Sequence, residues 1–458
     1  MKYIFYDTSQ FSSFTNIKFI KNKLIKKDIV YENDNTYESN MNGYYTILNN
    51  KKQLYLIYRS SNSLDEKYKY QMNSDCYKWI HQTRILVNIN GKFVPYLKDN
   101  KIDNVILKGK CASHNFIPFI SKCKTKYYGI GGLYTNEYHD KCDKILKKTY
   151  MGKKTISSEY YHPCHCNGLY LFQSDDLVNW EYVQDTPVIS GMHKGQTEGR
   201  NGWICTEFDG KISIFYSNIL KKYIIYVRSN IKSGVRWVQM ATSDDLINWS
   251  PFQLIKMKTF NEKQDNYYHL DVMEYPGASI FIGLSPYTNS NINPDKCCIK
   301  LLFSIDGINW IDKGSILDTP LSKYNKKHNT VHTTGLFNIE NDNFSFYFNK
   351  NYAGHLDRNM PSYINKYIIG CDKIIGITNN NLIVGEFRVK LYLNNIILFN
   401  LKHLNNGYLT IYFNDKTYYK LTSSSNKKIE IHDDFKNKTV EIKIEIYNTI
   451  LYCIETIS

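Results

Sequence analysis

Four acidic residues stand in short polar segments that each come just before a strand-like stretch. Glu38 lies in YESN, Asp209 lies in EFDG, and Asp271 and Glu274 lie together in LDVMEYPG. Two carboxyl groups across a cleft can share acid–base work, because one can hold a proton while the other stays ionised. The segments are far apart in sequence, so this chemistry needs a fold that gathers the beginnings of different strands.

Asp271 and Glu274 compete for one position in such a cleft. On a strand, residues 271 and 273 face one way while residues 272 and 274 face the other. Only one of the two acids can therefore face the cleft. We favour Glu274 as the catalytic acid because it directly precedes the YPG turn, and we keep Asp271 as a ligand contact.

Two arginines occupy matching positions at the ends of tyrosine-rich strands. Arg59 ends QLYLIYRS and Arg228 ends KYIIYVRS, in a chain with only seven arginines among 58 basic residues. Because arginine offers a rigid planar fork that lysine cannot copy, we expect both to bind a carboxylate, a phosphate or the catalytic acids.

Further polar and aromatic residues are candidates for ligand contacts. His114 and Asn115 lie in SHNF, and His332 lies in TVHTTG, each before a strand-like stretch. A hydrogen-bonded core histidine is the alternative for the two histidines. Trp237 could stack on a ligand ring, although packing in the core is the alternative there too.

An internal repeat indicates the elements that position these residues. SDDLVNW begins at Ser174, SDDLINW at Ser243 and SIDGINW at Ser304, with a weaker copy, SDCYKW, at Ser74. Asp and Ser accept hydrogen bonds from the backbone that follows them, which favours a turn, and the Trp can then anchor neighbouring sheets. Repeats with longer spacing are typical of propellers whose blades carry long loops.

The strand pattern predicts an all-β protein with two domains. Five polar entrance segments, each followed by an aromatic strand, indicate a five-bladed β-propeller over residues 1–362, including an N-terminal lead-in. From about Tyr363 the strands continue without the Trp turn, which predicts a C-terminal β-sandwich over 363–458. The inner strands of a propeller meet only at its axis, so the candidate residues should line one axial funnel.

Composition excludes several other classes of protein. The hydrophobic fraction is 42% and the aromatic fraction 15%, which indicates a globular, strand-rich chain. The net charge of +15 comes mostly from scattered lysines, so we expect a solvated surface and no nucleic-acid partner. The excess of Lys, Asn, Ile and Tyr indicates an AT-rich genome. The sequence leaves the oligomeric state open.

Cysteine usage and the termini bear on location and metals. The eleven cysteines lack the spacing of a disulfide framework, and the sequence has neither a signal-peptide pattern nor an apolar run long enough to span a membrane. We expect a cytoplasmic protein, with packaging in a virion left open. The cluster from His162 to Cys166 lacks a distant second pair of ligands, so we expect no metal and no cofactor.

Together these motifs resemble the five-bladed propeller glycosidases. This group includes invertase-like family 32 and arabinanase-like family 43 glycoside hydrolases, and the closer likeness is to glycosidase-like propellers of bacteria and viruses. The matching segments are SHNFIPF from Ser113, FDGKIS from Phe208, YVRSN from Tyr226, RWVQMATSDDLINW from Arg236, and YPG from Tyr275. The resemblance covers roughly residues 30–360.

The resemblance implies a glycan-acting enzyme, most simply a glycoside hydrolase with a carbohydrate substrate. It implies that Glu38 acts as base or nucleophile, that Asp209 holds the substrate or tunes a pKa, and that Glu274 is the general acid. Two alternatives remain on the same fold. One is an inactive carbohydrate-binding propeller, and the other is a glycoside phosphorylase or transglycosylase, for which Arg59, Arg228 and Arg236 could bind phosphate.

Overall fold

The computed structural model describes most of the chain as strands. The described residues are 1–32, 43–50, 53–63, 79–98, 101–102, 104–108, 111–132, 168–190, 193, 208, 210–231, 235–261, 263–289, 293–318, 336–350, 363–381, 383–415, 417–422 and 425–458. Short 3₁₀ turns lie at Thr8–Gln10, Cys111–His114, Cys371–Lys373 and Asp433–Phe435. None of the helices in these residues is long and apolar enough to cross a membrane.

Five antiparallel sheets form the blades of a propeller, which confirms the predicted all-β fold and its blade number. The blades are numbered 1 to 5 along the chain, and the inner strand of each blade precedes its other strands in the descriptions below.

Blade 1 contains β5 (Gly43–Asn50), β6 (Gln53–Ser63), β7 (Trp79–Ile89), β8 (Lys92–Pro95) and β11 (Val105–Lys108), with the small pair β9 (Leu97–Lys98) and β10 (Lys101–Ile102) between the last two. Blade 2 contains β12 (Ile117–Ile120), β13 (Tyr127–Gly131), β14 (Gly168–Ser174), β15 (Glu181–Tyr182) and β16 (Ile189–Ser190). Blade 3 contains β17 (Ser213–Ser217), β18 (Lys222–Asn230), β19 (Arg236–Ser243) and β20 (Gln253–Leu254).

Blade 4 contains β23 (Asp271–Glu274), β24 (Phe281–Asn289), β25 (Asn293–Ser304) and β26 (Asn309–Asp318), with β21 (Lys256–Met257) on β26 and β22 (Asp265–Tyr267) on β24. Blade 5 contains β27 (Leu336–Glu340), β28 (Asn343–Lys350), β29 (Tyr363–Gly370) and β4 (Ile25–Glu32). Blade 5 therefore closes the ring with a strand from the N-terminal part of the chain.

The Trp turns fold as the repeat predicts. In the turn after β19, the Asp245 carboxylate accepts the backbone N–H groups of Ile247 and Asn248, and Leu246 takes a left-handed φ of 70°. The Trp249 indole donates to the Leu246 carbonyl at 2.9 Å. The same bond from Trp to the third residue before it recurs at Trp180 and Trp310. Trp249 and Trp310 are buried, and Trp180 is half-buried.

One further sheet of nine strands carries the C-terminal part of the chain. It contains β30 (Ile375–Asn379), β31 (Gly385–Leu393), β32 (Ile396–Phe413), β33 (Thr417–Leu421), β34 (Ser425–Glu430) and β35 (Lys438–Ile457), joined by β1 (Lys2–Ile4), β2 (Ser13–Thr15) and β3 (Ile17–Lys21). The long strands β32 and β35 pair along most of their length and enclose an apolar core. A two-layer sandwich here stays a prediction.

Strand pairing differs from the predicted division of the chain near residue 363. β29 begins at Tyr363 and pairs with β28, so it belongs to blade 5. At the other end of the chain, β1 pairs with β35, so the N-terminal segment belongs to the C-terminal sheet and is not only a lead-in to the propeller. Both pairings join segments that a reading along the sequence separates.

Candidate functional site

The inner strands of the propeller define two ends of its axis, a front where these strands begin and a rear where they finish. At the front, Lys211 precedes β17 and contacts Asp271, the first residue of β23. At the rear, Ser217 ends β17 and donates to Glu274, the last residue of β23. Both contacts show that the two inner strands run in the same direction.

A buried ion pair lies at the front end of the axis. The Lys211 ammonium donates to the Oδ1 atom of Asp271, and both side chains are almost wholly buried. His269 Nε2 lies 3.8 Å from Asp271 Oδ2. Among the described residues, neither of these two atoms has a hydrogen-bond partner. One carboxyl group thus stands between a lysine and a histidine with one oxygen uncommitted.

Burial controls the protonation of this group. Burial raises the pKa of Asp271 to about 6, against the opposing charge of Lys211. Burial also lowers the pKa of Lys211, although Asp271 pulls it upward. The pKa of His269 lies well below its usual range because of burial and the charges of Lys211 and Arg228. His269 is therefore neutral at ordinary pH, and Asp271 can exchange a proton near pH 6.

Arg59 and His114 bring blades 1 and 2 to the same end. Arg59 is 5% exposed, and its Nη1 atom lies 3.3 Å from the His114 ring nitrogens. The guanidinium also lies 4.3 Å from the centre of the Tyr44 ring, on which His114 packs as well. Because β6 pairs Arg59 with Gly43, at the start of β5, this trio marks the front end of blade 1.

Asn115 holds the entrance segments together. Its amide donates to the carbonyls of Gly132 and Phe208, and its side-chain oxygen accepts the N–H of Gly132. Asn115 is fully buried, so it links the segment before β12 to the segment before β17. These bonds give it a positioning role. The prediction that it contacts a ligand stays a prediction.

Arg228 lies beside the segment that leads into β17. It is 7% exposed, and a Cβ atom on Gly210 would lie 3.1 Å from Arg228 Cβ. Glycine is therefore needed at position 210 for this close approach. We name Arg59, His114, Lys211, Arg228, His269 and Asp271 the front cluster.

The structure does not bring Glu274 into the front cluster. Its carboxylate accepts hydrogen bonds from Ser217 Oγ at 2.7 Å, from the Ile219 N–H at 2.9 Å and from Asn218 Nδ2 at 3.1 Å. These donors form the turn at the rear end of β17. Three residues of strand separate Glu274 from Asp271, about 10 Å along the axis. The chosen acid of the pair thus binds the turn of the neighbouring blade.

Trp237 lies in the core between blades 3 and 4. It is 1% exposed, its indole donates to the Ile255 carbonyl at 2.9 Å, and its ring stacks on Phe260. This placement fits the packing alternative and leaves no ring face for a ligand.

Three predicted residues, Glu38, Asp209 and His332, lie outside the described residues, as does the cluster from His162 to Cys166. In sequence, Glu38, Asp209 and His332 directly precede the inner strands of blades 1, 3 and 5. Their roles stay predictions. Within the described residues there is no group of three acidic, histidine or cysteine side chains that could hold a metal ion.

Sequence reasoning missed Lys211, His269 and Tyr44. Lys211 stands in the FDGKIS segment, but a lysine in a lysine-rich chain gives little signal. His269 stands two residues before Asp271 and could have been linked to it by the alternation of strand residues. Nothing in the sequence shows that Tyr44 lies beneath the Arg59 guanidinium.

A central channel of about 810 Å³ runs along the axis. The inner strands of blades 1 to 4 line it, and Lys211 and Asp271 are among its lining residues at the front. Asn50, Lys122, Lys124 and Asn218 line its rear end. The ion pair therefore lies where the channel meets the front cluster.

Comparisons with solved structures find similar propellers. A structure described as a glycoside hydrolase matches with a TM-score of 0.52 and 12% identity, over 76% of this chain and 92% of that one. One described as a complex of BT0996 and RGII matches with a TM-score of 0.51 and 11% identity, over the same shares. A comparison with protein-family models and with curated proteins finds no match. The chain thus shares the five-bladed propeller fold of glycoside hydrolase-like proteins, as its motifs predict.

Proposed function

We propose that this protein is a glycoside hydrolase whose active site lies at the front end of the propeller axis. The observation that carries the proposal is the front cluster itself. Side chains from four blades meet there around Asp271, a buried carboxyl group with a pKa of about 6. Fold alone would not support an activity, since propellers host many functions.

Asp271 has the properties of a proton donor. A general acid works best when its pKa lies near the working pH, which burial achieves for Asp271. Its Oδ2 atom accepts no hydrogen bond from a described residue, so a proton there is not committed to a protein acceptor. Because Glu274 binds the rear turn, this proposal assigns the general acid to Asp271.

Glycoside hydrolysis needs a second carboxyl group on the other side of the scissile bond. Glu38 and Asp209 precede the inner strands of blades 1 and 3, and the resemblance implies that Glu38 is the base or nucleophile. Arg59 and Arg228, at the front ends of the same two blades, would orient the substrate and keep the base ionised. Asp209 would hold the substrate, as the resemblance implies.

Phosphorolysis is the second candidate, and the buried cations of the front cluster favour it. Arg59, Lys211 and Arg228 are each less than a tenth exposed. Phosphate in place of water would need such cations beside the acid. An inactive carbohydrate-binding propeller would need no pair of working carboxyls.

The test is a screen of the full chain against polysaccharides and aryl glycosides. Release of reducing ends reports hydrolysis, and formation of a sugar 1-phosphate in added phosphate reports phosphorolysis. On a confirmed substrate, Glu38→Gln and Asp209→Asn should each lower kcat by about 10²-fold or more.

Asp415→Asn is the matched control, since Asp415 binds Arg388 on the surface of the C-terminal sheet. It should leave turnover unchanged. Wild-type turnover in both Glu38→Gln and Asp209→Asn would overturn the assignment. Saturable sugar binding without any turnover would support the binding-protein alternative instead.

A further inference from the structure

The rear end of the axial channel carries an excess of positive charge. In the part of the chain that the structure describes, the charged residues lining the channel are Lys122, Lys124, Lys211 and Asp271. Lys122 and Lys124 stand at the rear opening, on the turn that joins β12 to β13, and both are exposed. Lys211 closes the other end through its bond to Asp271. Three cations and one acid thus share one cavity.

The rear opening also offers uncharged donors at fixed positions. Asn50 donates to the Tyr127 hydroxyl, and Asn218 donates to Glu274 at 3.1 Å, so both amides are held by neighbours. Lys122 Nζ lies 4.7 Å from the centre of the Tyr216 ring. The ends of three inner strands therefore hold this ring of amide and ammonium groups in place.

We propose that the rear opening of the channel binds a small oxyanion, such as phosphate, sulfate or a carboxylate, between Lys122 and Lys124. An oxyanion takes short, strong hydrogen bonds from ammonium groups, and amide N–H groups can satisfy its remaining lone pairs. A confined cavity with low-dielectric walls strengthens this attraction relative to open solvent. The site lies at the opposite end of the axis from the front cluster and does not depend on the proposed activity.

Calorimetric titration of the full chain with inorganic phosphate, sulfate and acetate tests this proposal, at constant ionic strength set with chloride. We expect saturable binding of phosphate or sulfate with a Kd of about 1 mM or tighter, and weaker binding of acetate. Replacing both lysines, in the variant Lys122→Met with Lys124→Met, should weaken binding by about tenfold or more.

Lys126→Met is the matched control. Lys126 belongs to the same exposed turn, but it lines a different surface cavity, beside Asp175 and Asp176. This variant should bind the oxyanions like the wild type. An absence of saturable binding would overturn the proposal. So would binding that survives the double substitution but disappears in Arg59→Met, because the anion would then lie in the front cluster.

Discussion

At the scale of single residues, two acids on one four-residue strand have opposite surroundings. Burial beside a lysine raises the pKa of Asp271 to about 6, whereas Glu274 accepts three hydrogen bonds from a turn. Only the protonated form of Asp271 can donate to a leaving group. If Asp271 is the donor, kcat on a confirmed substrate should fall as pH rises through about 6, and a pH–rate profile measures this directly.

Lys211→Met provides the control for that pH dependence. The charge of Lys211 lowers the pKa of Asp271, so its removal should move the falling limb of the profile to higher pH. Because Asp271 then loses its buried partner, we also expect a loss of about 3–5 kcal/mol in the free energy of unfolding. A falling limb that stays in place would show that another group is the donor.

The sequence identifies some of these residues but not their depth along the axis. Strand alternation correctly separates the faces of Asp271 and Glu274, yet it cannot tell which end of β23 lies at the front. That depends on the contact of β23 with β17, through Lys211 at one end and Ser217 at the other. Asn115 shows the same limit, because its partners Gly132 and Phe208 lie far along the chain.

At the scale of elements, the Trp turns stabilise the blades and lie outside the front cluster. Trp249 is 9% exposed and packs in the apolar core shared by blades 2 and 3. Trp249→Ala should therefore lower the free energy of unfolding by about 3–5 kcal/mol without changing KM for a confirmed substrate. Urea unfolding and steady-state kinetics measure the two effects.

Trp180→Ala is the matched variant for this prediction. Trp180 makes the same indole bond but is only half-buried, so its replacement should cost less. A cost for Trp249→Ala below about 1 kcal/mol, or one smaller than for Trp180→Ala, would contradict the proposed anchoring role.

At the scale of the whole molecule, the propeller and the C-terminal sheet share an apolar core. Ile4 and Tyr6 of the N-terminal segment, Tyr275 and Phe303 of blade 4, and Cys453 of β35 belong to one cluster. Tyr6 stacks on Phe303 with ring centres 5.1 Å apart. The repeats predict the five blades from local patterns, whereas these contacts between the chain ends leave no local pattern.

This shared core predicts that the propeller is not stable alone. A chain ending at Gly370 would expose the apolar residues that now face β35 and would leave β1 without its partner strand. We expect it to aggregate, as judged by size-exclusion chromatography. A full chain cleaved at a protease site inserted between β30 and β31 is the control, and its pieces should remain associated. A monomeric, folded chain of residues 1–370 would refute this prediction.

The central claim is that the working acid lies at the front of the axis, and a paired substitution on one strand tests it. Asp271→Asn and Glu274→Gln each remove one negative charge from β23, at its front and rear ends. The measurement is kcat of both variants on a confirmed glycan substrate, after circular dichroism has shown that both are folded. We predict a loss of about 10²-fold or more for Asp271→Asn and a change of less than about threefold for Glu274→Gln. The reverse pattern, with turnover lost only in Glu274→Gln, would contradict the account.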